Sequence, residues 1–230
     1  MQPSVSLLVA AYNEEASLEK TLERALATLT ECSPEGELIV LDDCSRDRTP
    51  EIIKRFQEAH PDAPMKALRH DMNKGIARTF EDLYRAATKD YVFLISGDGE
   101  FPPEILKTCI PLLSSVDIVI CRRVQKNYTL YRHIVSHLYH WSIRLLFGID
   151  LFDPGGVKVV KREIFEKIPV RSTSVFVEAE RIMRAVKAGY KIGCVDMEHG
   201  KREGGKGRGA RFRNVWNAAR DLFSVWWDTL

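Results

Sequence analysis

Over the first half of the chain, short apolar runs alternate with segments whose apolar residues recur every three or four positions. Val5 to Ala10 is apolar but for Ser6, the pattern of a strand buried on both faces. Leu18, Leu22, Ala25, Leu26 and Leu29 then share one helical face. Glu37 to Leu41 predicts a second strand, and residues 49–59 a helix with Ile52, Ile53 and Phe56 inward. An edge strand near 65–69 precedes a helix from about 75 to 87. Tyr91 to Ile95 reads as a strand, Pro102 to Leu113 as a helix with Pro103 early in it, and Asp117 to Cys121 as another strand. This β-α-β-α order implies a doubly wound, mostly parallel sheet with right-handed crossovers. Ligands of such sheets sit at the carboxyl ends of the strands.

Composition leaves that reading in place and charge refines it. The chain has 230 residues, 45% hydrophobic and 29% charged, which suits one α/β domain with a single core. Its net charge of +2 is unevenly spread. Residues 201–213 carry Lys201, Arg202, Lys206, Arg208, Arg211 and Arg213 against Glu203 alone, a local +5. A mildly acidic body therefore carries a basic strap near its C-terminal end. The five cysteines are odd in number and scattered, which fits neither a disulfide framework nor a zinc knuckle and points to a reducing compartment. No window approaches the roughly 18 apolar residues of a membrane span, and Met1 to Ser4, uncharged and running into a strand, does not read as a signal peptide.

The predicted strand ends hold the chemistry. Ala11-Tyr12-Asn13-Glu14-Glu15 follows the first strand, Asp42-Asp43-Cys44-Ser45-Arg46-Asp47-Arg48-Thr49 the second, and Ser96-Gly97-Asp98-Gly99-Glu100 the strand at 91–95. Asn13, Asp43 and Asp47 would each serve as ordinary helix caps. Three acidic clusters on one sheet edge point further, to a shared crevice for a metal and a diphosphate.

In order and spacing, the segments AYNEE, DDCSRDRT, NKGIAR and SGDGEFPPE resemble the nucleotide-binding half of the family 2 inverting glycosyltransferases. That resemblance implies the GT-A fold, a Rossmann-like mostly parallel sheet flanked by helices, here with a C-terminal amphipathic helix. It also implies donor contacts from Ala11, Tyr12, Glu14, Asp43, Arg78, Ser96, Gly97 and Asp98, with Asp43 near the base of a UDP- or GDP-linked sugar. The family's D-x-D is altered: Ser96 stands for the first Asp, Asp98 is the second, and Glu100 replaces a common Gln. Asp98 and Glu100 are the candidate ligands of Mg2+ or Mn2+, which favour hard oxygen donors. On an extended segment the two would point to one side.

The second half resembles the polyprenyl-phosphate subgroup typified by dolichol-phosphate mannose synthase. Residues 130–147 predict an amphipathic helix with a stripe of Leu130, Ile134, Leu138, Trp141 and Leu145, and with Arg132, Ser136, His140 and Arg144 on another face. His133 and His137 stand at zinc spacing but lack a third ligand. Asp153, Gly156 and Lys158 match the subgroup's D-x-T-S-G-F-R with Lys for Arg, while Pro154, Gly155 and Val157 depart from it. By that resemblance Arg122, Ser136, Asp153, Lys158, Arg202 and Arg208 gather at the acceptor and its phosphate. Glu178 and Glu180 are candidate catalytic carboxylates beside Asp98, needed as a base only for a hydroxyl acceptor. A phosphate acceptor is already anionic and needs cations instead.

The expected organisation is a GT-A domain over 1–208, with a nucleotide-sugar half at 1–121 and an acceptor half at 122–208, followed by a C-terminal helix over 209–230. Phe212, Val215, Trp216, Ala219, Phe223, Trp226 and Trp227 make that helix either interfacial or packed on the core. The expected activity is metal-dependent transfer of a sugar to a polyprenyl phosphate, dolichyl or undecaprenyl. A soluble hydroxyl acceptor on a polysaccharide, glycolipid or protein, or a catalytically silent nucleotide-binding homologue, are the alternatives. The expected location is the cytoplasm, with peripheral contact at the cytoplasmic face of a membrane, made directly or through a membrane-anchored partner subunit. One short RGG-like stretch on a near-neutral chain is weak support for RNA, so no nucleic-acid partner is expected.

Overall fold

The computed structural model describes residues 3–124, 130–149, 151–172, 174, 176–198 and 212–227. Seven strands form one sheet: β1 (Val5–Ala11), β2 (Glu37–Asp42), β3 (Met65–Arg69), β4 (Tyr91–Ser96), β5 (Ile118–Arg123), β6 (Lys158–Lys161) and β7 (Ile192–Met197), in the order β3-β2-β1-β4-β6-β5-β7. Of these, β6 runs antiparallel to its neighbours, β4 and β5. The helices are α1 (Leu18–Cys32), α2 (Thr49–Ala59), α3 (Ile76–Ala86), α4 (Ile105–Cys109), α5 (Leu130–Phe147), α6 (Glu163–Lys167), α7 (Val177–Lys187) and α8 (Phe212–Trp227). The alternating βαβ reading of the first half therefore stands, and α2 falls on the predicted residues.

From β1 the chain winds outward through β2 to β3, then returns with β4 against the other side of β1. The carboxyl ends of β1 and β4 thus flank the switch point where such sheets bind ligands. Gly97 N–H donates to Ala10 O at 2.9 Å and joins the two ends. Strand alternation assigns the core: Leu7, Val9, Leu38, Val40, Phe93 and Ile95 face α1, α2 and α4, while Leu8, Ile39, Leu41 and Val92 face α3. A further cluster beneath β5 and β6 joins Ile118, Ile120 and Val160 to α5, α7 and α8.

Two expectations change. The helix expected over 102–113 is only α4, followed by a 3-10 turn at Ile110–Ser114; Pro111 lacks the N–H that would continue the α-helix. The stripe of α5 does not face the core. Among its described side chains Ile143 is buried, with Tyr139, Leu146 and Phe147 half-buried beside it, whereas Ile134, Leu138, Trp141 and Leu145 are more than half exposed. Helix α8 packs on α5 through Ala218, Leu222 and Val225 and turns Trp216, Phe223 and Trp227 outward. The helix is therefore packed on the core, but through Ala218, Leu222 and Val225 and not through the expected aromatic face.

Candidate active site

The loops after β1 and β2 are laced together. The Asn13, Glu14 and Glu15 N–H groups donate to Ser45 Oγ (2.9 Å), Thr49 Oγ1 (2.9 Å) and Asp47 Oδ2 (3.1 Å). In return, Arg46 N–H donates to Asn13 Oδ1 at 2.9 Å and Arg48 N–H to Glu15 Oε2 at 3.2 Å. The Ser, Asp and Thr of the second loop thus accept from the backbone of the first, which ties the two motifs physically. Asn13 and Cys44 sit at φ 56° and 60°, a left-handed geometry that Asn tolerates and Cys seldom adopts. Burial alone would raise the Asp47 carboxyl, but hydrogen bonds from Thr49 and Glu15 hold it below its ordinary value. Tyr12 and Glu14 stand half-buried on this loop and Ala11 is buried at the strand end.

Asp43 is 3% exposed and its carboxylate serves the protein itself. Oδ1 accepts from His70 Nδ1 at 2.7 Å and Lys74 N at 2.8 Å; Oδ2 accepts from Asn73 Nδ2 at 2.8 Å and Gly75 N at 2.9 Å. This anchors the turn into α3, where Gly75 has φ 81°. His70 Nε2 reaches Asp82 Oδ2 at 3.2 Å, and Arg78, expected near the nucleotide, pairs with the same Asp82 at 3.1 Å.

At the end of β4, Gly97 presses against α1. A Cβ there would meet Leu18 Cδ1 at 2.9 Å, and its carbonyl accepts from Ser17 Oγ at 2.9 Å. Ser96 is half-buried, and Asp98, 3% exposed, accepts Glu100 N–H at 3.0 Å. Gly99 at φ 72° bends the segment, so the extended geometry expected for Asp98 and Glu100 is replaced by a turn in which the Glu100 backbone N–H folds back onto the Asp98 carboxylate. Among the described residues no three His, Cys, Asp or Glu side chains form a cage. The donor set fits a divalent ion that takes its other ligands from diphosphate oxygens and water.

On the acceptor side, a buried ion pair shapes the rim. Arg123 Nε donates to Asp153 Oδ2 at 2.8 Å and Nη2 to Oδ1 at 2.9 Å, with both side chains under 10% exposed. The loop that carries Asp153 includes Phe152 at φ 56°, and Gly156 lies so close to β5 that a Cβ would be 2.4 Å from Cys121 O. Asp153 is therefore a brace of the acceptor loop. The neighbouring Arg122 points the other way and pairs with Asp196 at 2.7 Å. Ser136 is half-buried on α5, and Arg202 and Arg208 lie outside the described residues.

Glu178 and Glu180 separate. Glu178 Oε2 accepts from Tyr84 Oη at 2.8 Å and Lys158 Nζ at 3.3 Å, while its buried Oε1 has no hydrogen-bond partner among the described residues. Burial, and then the adjacent Glu178, push the Tyr84 hydroxyl well above its ordinary value, so it stays protonated as the donor. Glu180 is fully buried and accepts from Ser172 N at 2.8 Å, Arg171 N at 3.1 Å and Arg184 Nε at 2.7 Å. Burial alone would raise its carboxyl, but those bonds hold it below the ordinary value. Its observed role is to pin residues 171–172 to α7.

Several of these residues carry no obvious sequence signal. Ser45 and Thr49 were visible only as letters of a motif, and His70, Ser17 and Tyr84 not at all. Arg123 was readable in principle, since alternation sends one of two consecutive strand-end arginines inward.

Comparison with known proteins places these features in context. A model of glycosyl transferase family 2 matches residues 6–168. An undecaprenyl-phosphate 4-deoxy-4-formamido-L-arabinose transferase from Photorhabdus laumondii is 28% identical over 96% of this chain and 67% of its own length. The protein of the same name from Pectobacterium atrosepticum is 26% identical over the same shares. The chain thus spans about two thirds of the length of these curated relatives. Among solved structures, glucosyl-3-phosphoglycerate synthase from Mycobacterium tuberculosis, in complex with Mn2+, UDP and phosphoglyceric acid, superposes with a TM-score of 0.76 at 17% identity, covering 97% of this chain and 78% of that one. A mannosyltransferase from Pyrobaculum calidifontis in complex with GDP-mannose and Mn2+ gives 0.68 at 20% identity, covering 100% and 64%.

Proposed function

The chain belongs to glycosyl transferase family 2, and from that premise we propose that it moves a sugar, with inversion at the anomeric carbon, from a UDP- or GDP-linked donor to a polyprenyl phosphate. The observation that carries this reading is Asp98, buried at the switch point beside the laced loops of β1 and β2. The names of the relatives support the acceptor class.

The chain's own residues divide the work. Tyr12, Glu14 and the loop anchored by Asp43 cradle the nucleoside, and Gly97 lets the backbone at the end of β4 sit close to β1. Asp98, helped by Glu100, would hold Mg2+ or Mn2+, and a bound divalent ion neutralises the charge that develops on a diphosphate leaving group. A phosphate acceptor attacks as an anion, so the protein has to bring it in line and screen its charge. Lys158 at the start of β6, once an acceptor phosphate competes with Glu178 for it, and Arg202 and Arg208 of the strap supply that positive charge. Arg122, turned away and paired with Asp196, does not. The acceptor is a lipid, so the enzyme works at a membrane surface; no helix among the described residues is long and apolar enough to cross a membrane.

One observation favours a second reading. The buried Oε1 of Glu178, unpartnered among the described residues, has the character of a general base for a hydroxyl acceptor. The primary test is a thermal-shift screen of UDP- and GDP-sugars with Mn2+ or Mg2+. Stabilisation by a nucleotide-sugar with metal, reduced in Asp98→Ala, is expected; stabilisation by none would overturn the proposal.

A further inference from the structure

Immediately after β3, His70 is buried between two aspartates. Its backbone N–H donates to Asp42 O at 3.0 Å, which continues the β2–β3 ladder by one step and fixes where the side chain starts. Nδ1 of the ring then lies 2.7 Å from Asp43 Oδ1, and Nε2 lies 3.2 Å from Asp82 Oδ2. The ring thus joins the loop after β2 to the middle of α3.

Hydrogen bonding decides what the ring carries. An ionised carboxylate only accepts, and a neutral imidazole donates from one nitrogen alone. Asp43 already accepts from Asn73 Nδ2, Lys74 N and Gly75 N. Asp82 faces Arg78 at 3.1 Å, Arg85 at 3.6 Å and Lys74 at 3.8 Å. Both aspartates are thus placed as acceptors, and satisfying both takes a proton on each ring nitrogen. The three cations around Asp82 oppose a charge on the ring, but they are 40–66% exposed and screened by solvent. The two aspartate contacts are direct and buried. On the same edge, Arg69 is balanced by Asp42 at 3.2 Å, and Asp71 is exposed.

What the ring holds is one wall of the strand-end crevice. Asp43 anchors the 73–75 turn, which enters α3 through Gly75 at φ 81°. Doubly protonated, the ring ties α3 to the same carboxylate that holds this turn. With one proton gone, a nitrogen lone pair faces a carboxylate oxygen, and that side of the tie is lost. We infer that His70 is a positioning residue for the nucleotide-sugar: carrying both protons it clamps Asp43 to α3 and keeps the 73–75 turn in its binding geometry, and on losing one it releases them. This role rests on the proposed cradling of the nucleoside by the loop that Asp43 anchors. The clamp is complete while His70 holds both protons and is lost as pH rises through its titration. By reciprocity, a bound nucleotide-sugar makes the second proton harder to remove.

The test follows the full chain, labelled with nitrogen-15, over about pH 5 to 8. Nitrogen NMR reports the protons on His70, and hydrogen exchange reports the protection of the Lys74 and Gly75 amides that Asp43 accepts. Calorimetry measures the affinity for UDP- and GDP-sugars with Mg2+ at the same pH values. The expected result is a doubly protonated ring at the acid end. As one proton leaves, protection of both amides should fall and affinity for the nucleotide-sugar should drop roughly five- to tenfold. Bound nucleotide-sugar should move the His70 titration to higher pH. His70→Asn, whose amide reaches Asp43 without a titrating proton, should bind at every pH as the deprotonated wild type does. Asp82→Asn, whose amide can donate to a neutral ring, should lose the pH dependence. A ring with one proton throughout, amide protection indifferent to the lost proton, or a wild-type pH profile in His70→Asn would overturn the inference. The first two are read on the wild type, whatever the variants do. If the amides follow His70 but no nucleotide-sugar binds, the donor reading fails while the clamp stands.

Discussion

Replacing Asp43 with asparagine removes a charge and almost no volume, so the effect isolates what the carboxylate does. Its oxygens accept from His70, Lys74 N, Asn73 and Gly75 N at 2.7–2.9 Å. An amide must turn its NH2 toward one pair of these donors. Facing His70 and Lys74 N, it can donate to the imidazole in its other tautomer, but the Lys74 N–H loses its acceptor. Facing Asn73 and Gly75 N, a flip of the Asn73 amide rescues that side chain, but the Gly75 N–H is stranded. In either case one backbone donor is orphaned, costing about 1–3 kcal/mol, and the remaining bonds lose charge assistance worth up to about 1 kcal/mol each. Residues 73 and 74 are exposed enough for water to recover part of this, which leaves a net loss of about 2–3 kcal/mol. Urea unfolding followed by far-UV circular dichroism should show the midpoint falling by that amount at unchanged slope, with nucleotide affinity falling as the 73–75 turn loosens. A stability change below about 0.5 kcal/mol together with lost nucleotide binding would refute the loop-anchor reasoning and assign the carboxylate to the ligand alone.

Further outcomes follow from the other buried groups. Asp153→Ala leaves Arg123 buried without its partner and should cost about 3–5 kcal/mol, whereas Arg123→Met/Asp153→Leu should recover most of that in a double-mutant cycle; additive losses would mean the pair does not brace the loop. The Glu180 carboxyl is held below its ordinary 4.5, so its contribution is full above that pH and is lost as pH falls through the folded value. Glu180→Gln should therefore lower stability at neutral pH and flatten the acid limb of a stability–pH curve, and an unaltered acid limb would contradict the pinning role. Glu178→Gln should keep kcat within about tenfold with a phosphate acceptor, because such an acceptor needs no base; a loss of about 10²–10⁴ with that acceptor would contradict the base-free reading. Gly97→Ala should cost about 1–3 kcal/mol through the clash with Leu18, measured by thermal unfolding.

The first half of the fold was legible because local and global signals agree there. Val5 to Ala10 is continuously apolar but for Ser6 and lies at the centre of the sheet, and the spacing of Ile52, Ile53 and Phe56 marks the inner face of α2. Strands β6 and β7 were missed because Lys158 to Lys161 holds only two apolar residues and Ile192 to Met197 mixes Gly, Cys and Asp. Their strand state comes from pairing with β4 and β5, which no local pattern carries. The orientation of α5 was hidden for the opposite reason. Apolar residues cover so much of its circumference that Tyr139, Ile143 and Leu146 make as good an inner face as the outward stripe. At the site, the strand-end loops could be read from their letters, but the division of labour within them could not. That Asp43 and Asp47 both serve backbone donors, and that Glu180 rather than Glu178 is fully pinned, depends on donors brought from elsewhere in the chain. Likewise Cys109 and Cys121, scattered in the sequence reading, have their sulfurs 3.6 Å apart beneath the sheet.

The central claim is tested most directly by the product. The chain is incubated with UDP- and GDP-linked sugars, Mn2+ and undecaprenyl phosphate, and the lipid fraction is analysed by mass spectrometry and NMR. The expected result is a sugar joined to the lipid phosphate with the anomeric configuration of the donor inverted, and its disappearance in Asp98→Ala. A product with retained configuration, transfer only to a hydroxyl, or a yield unaffected by Asp98→Ala would contradict the account.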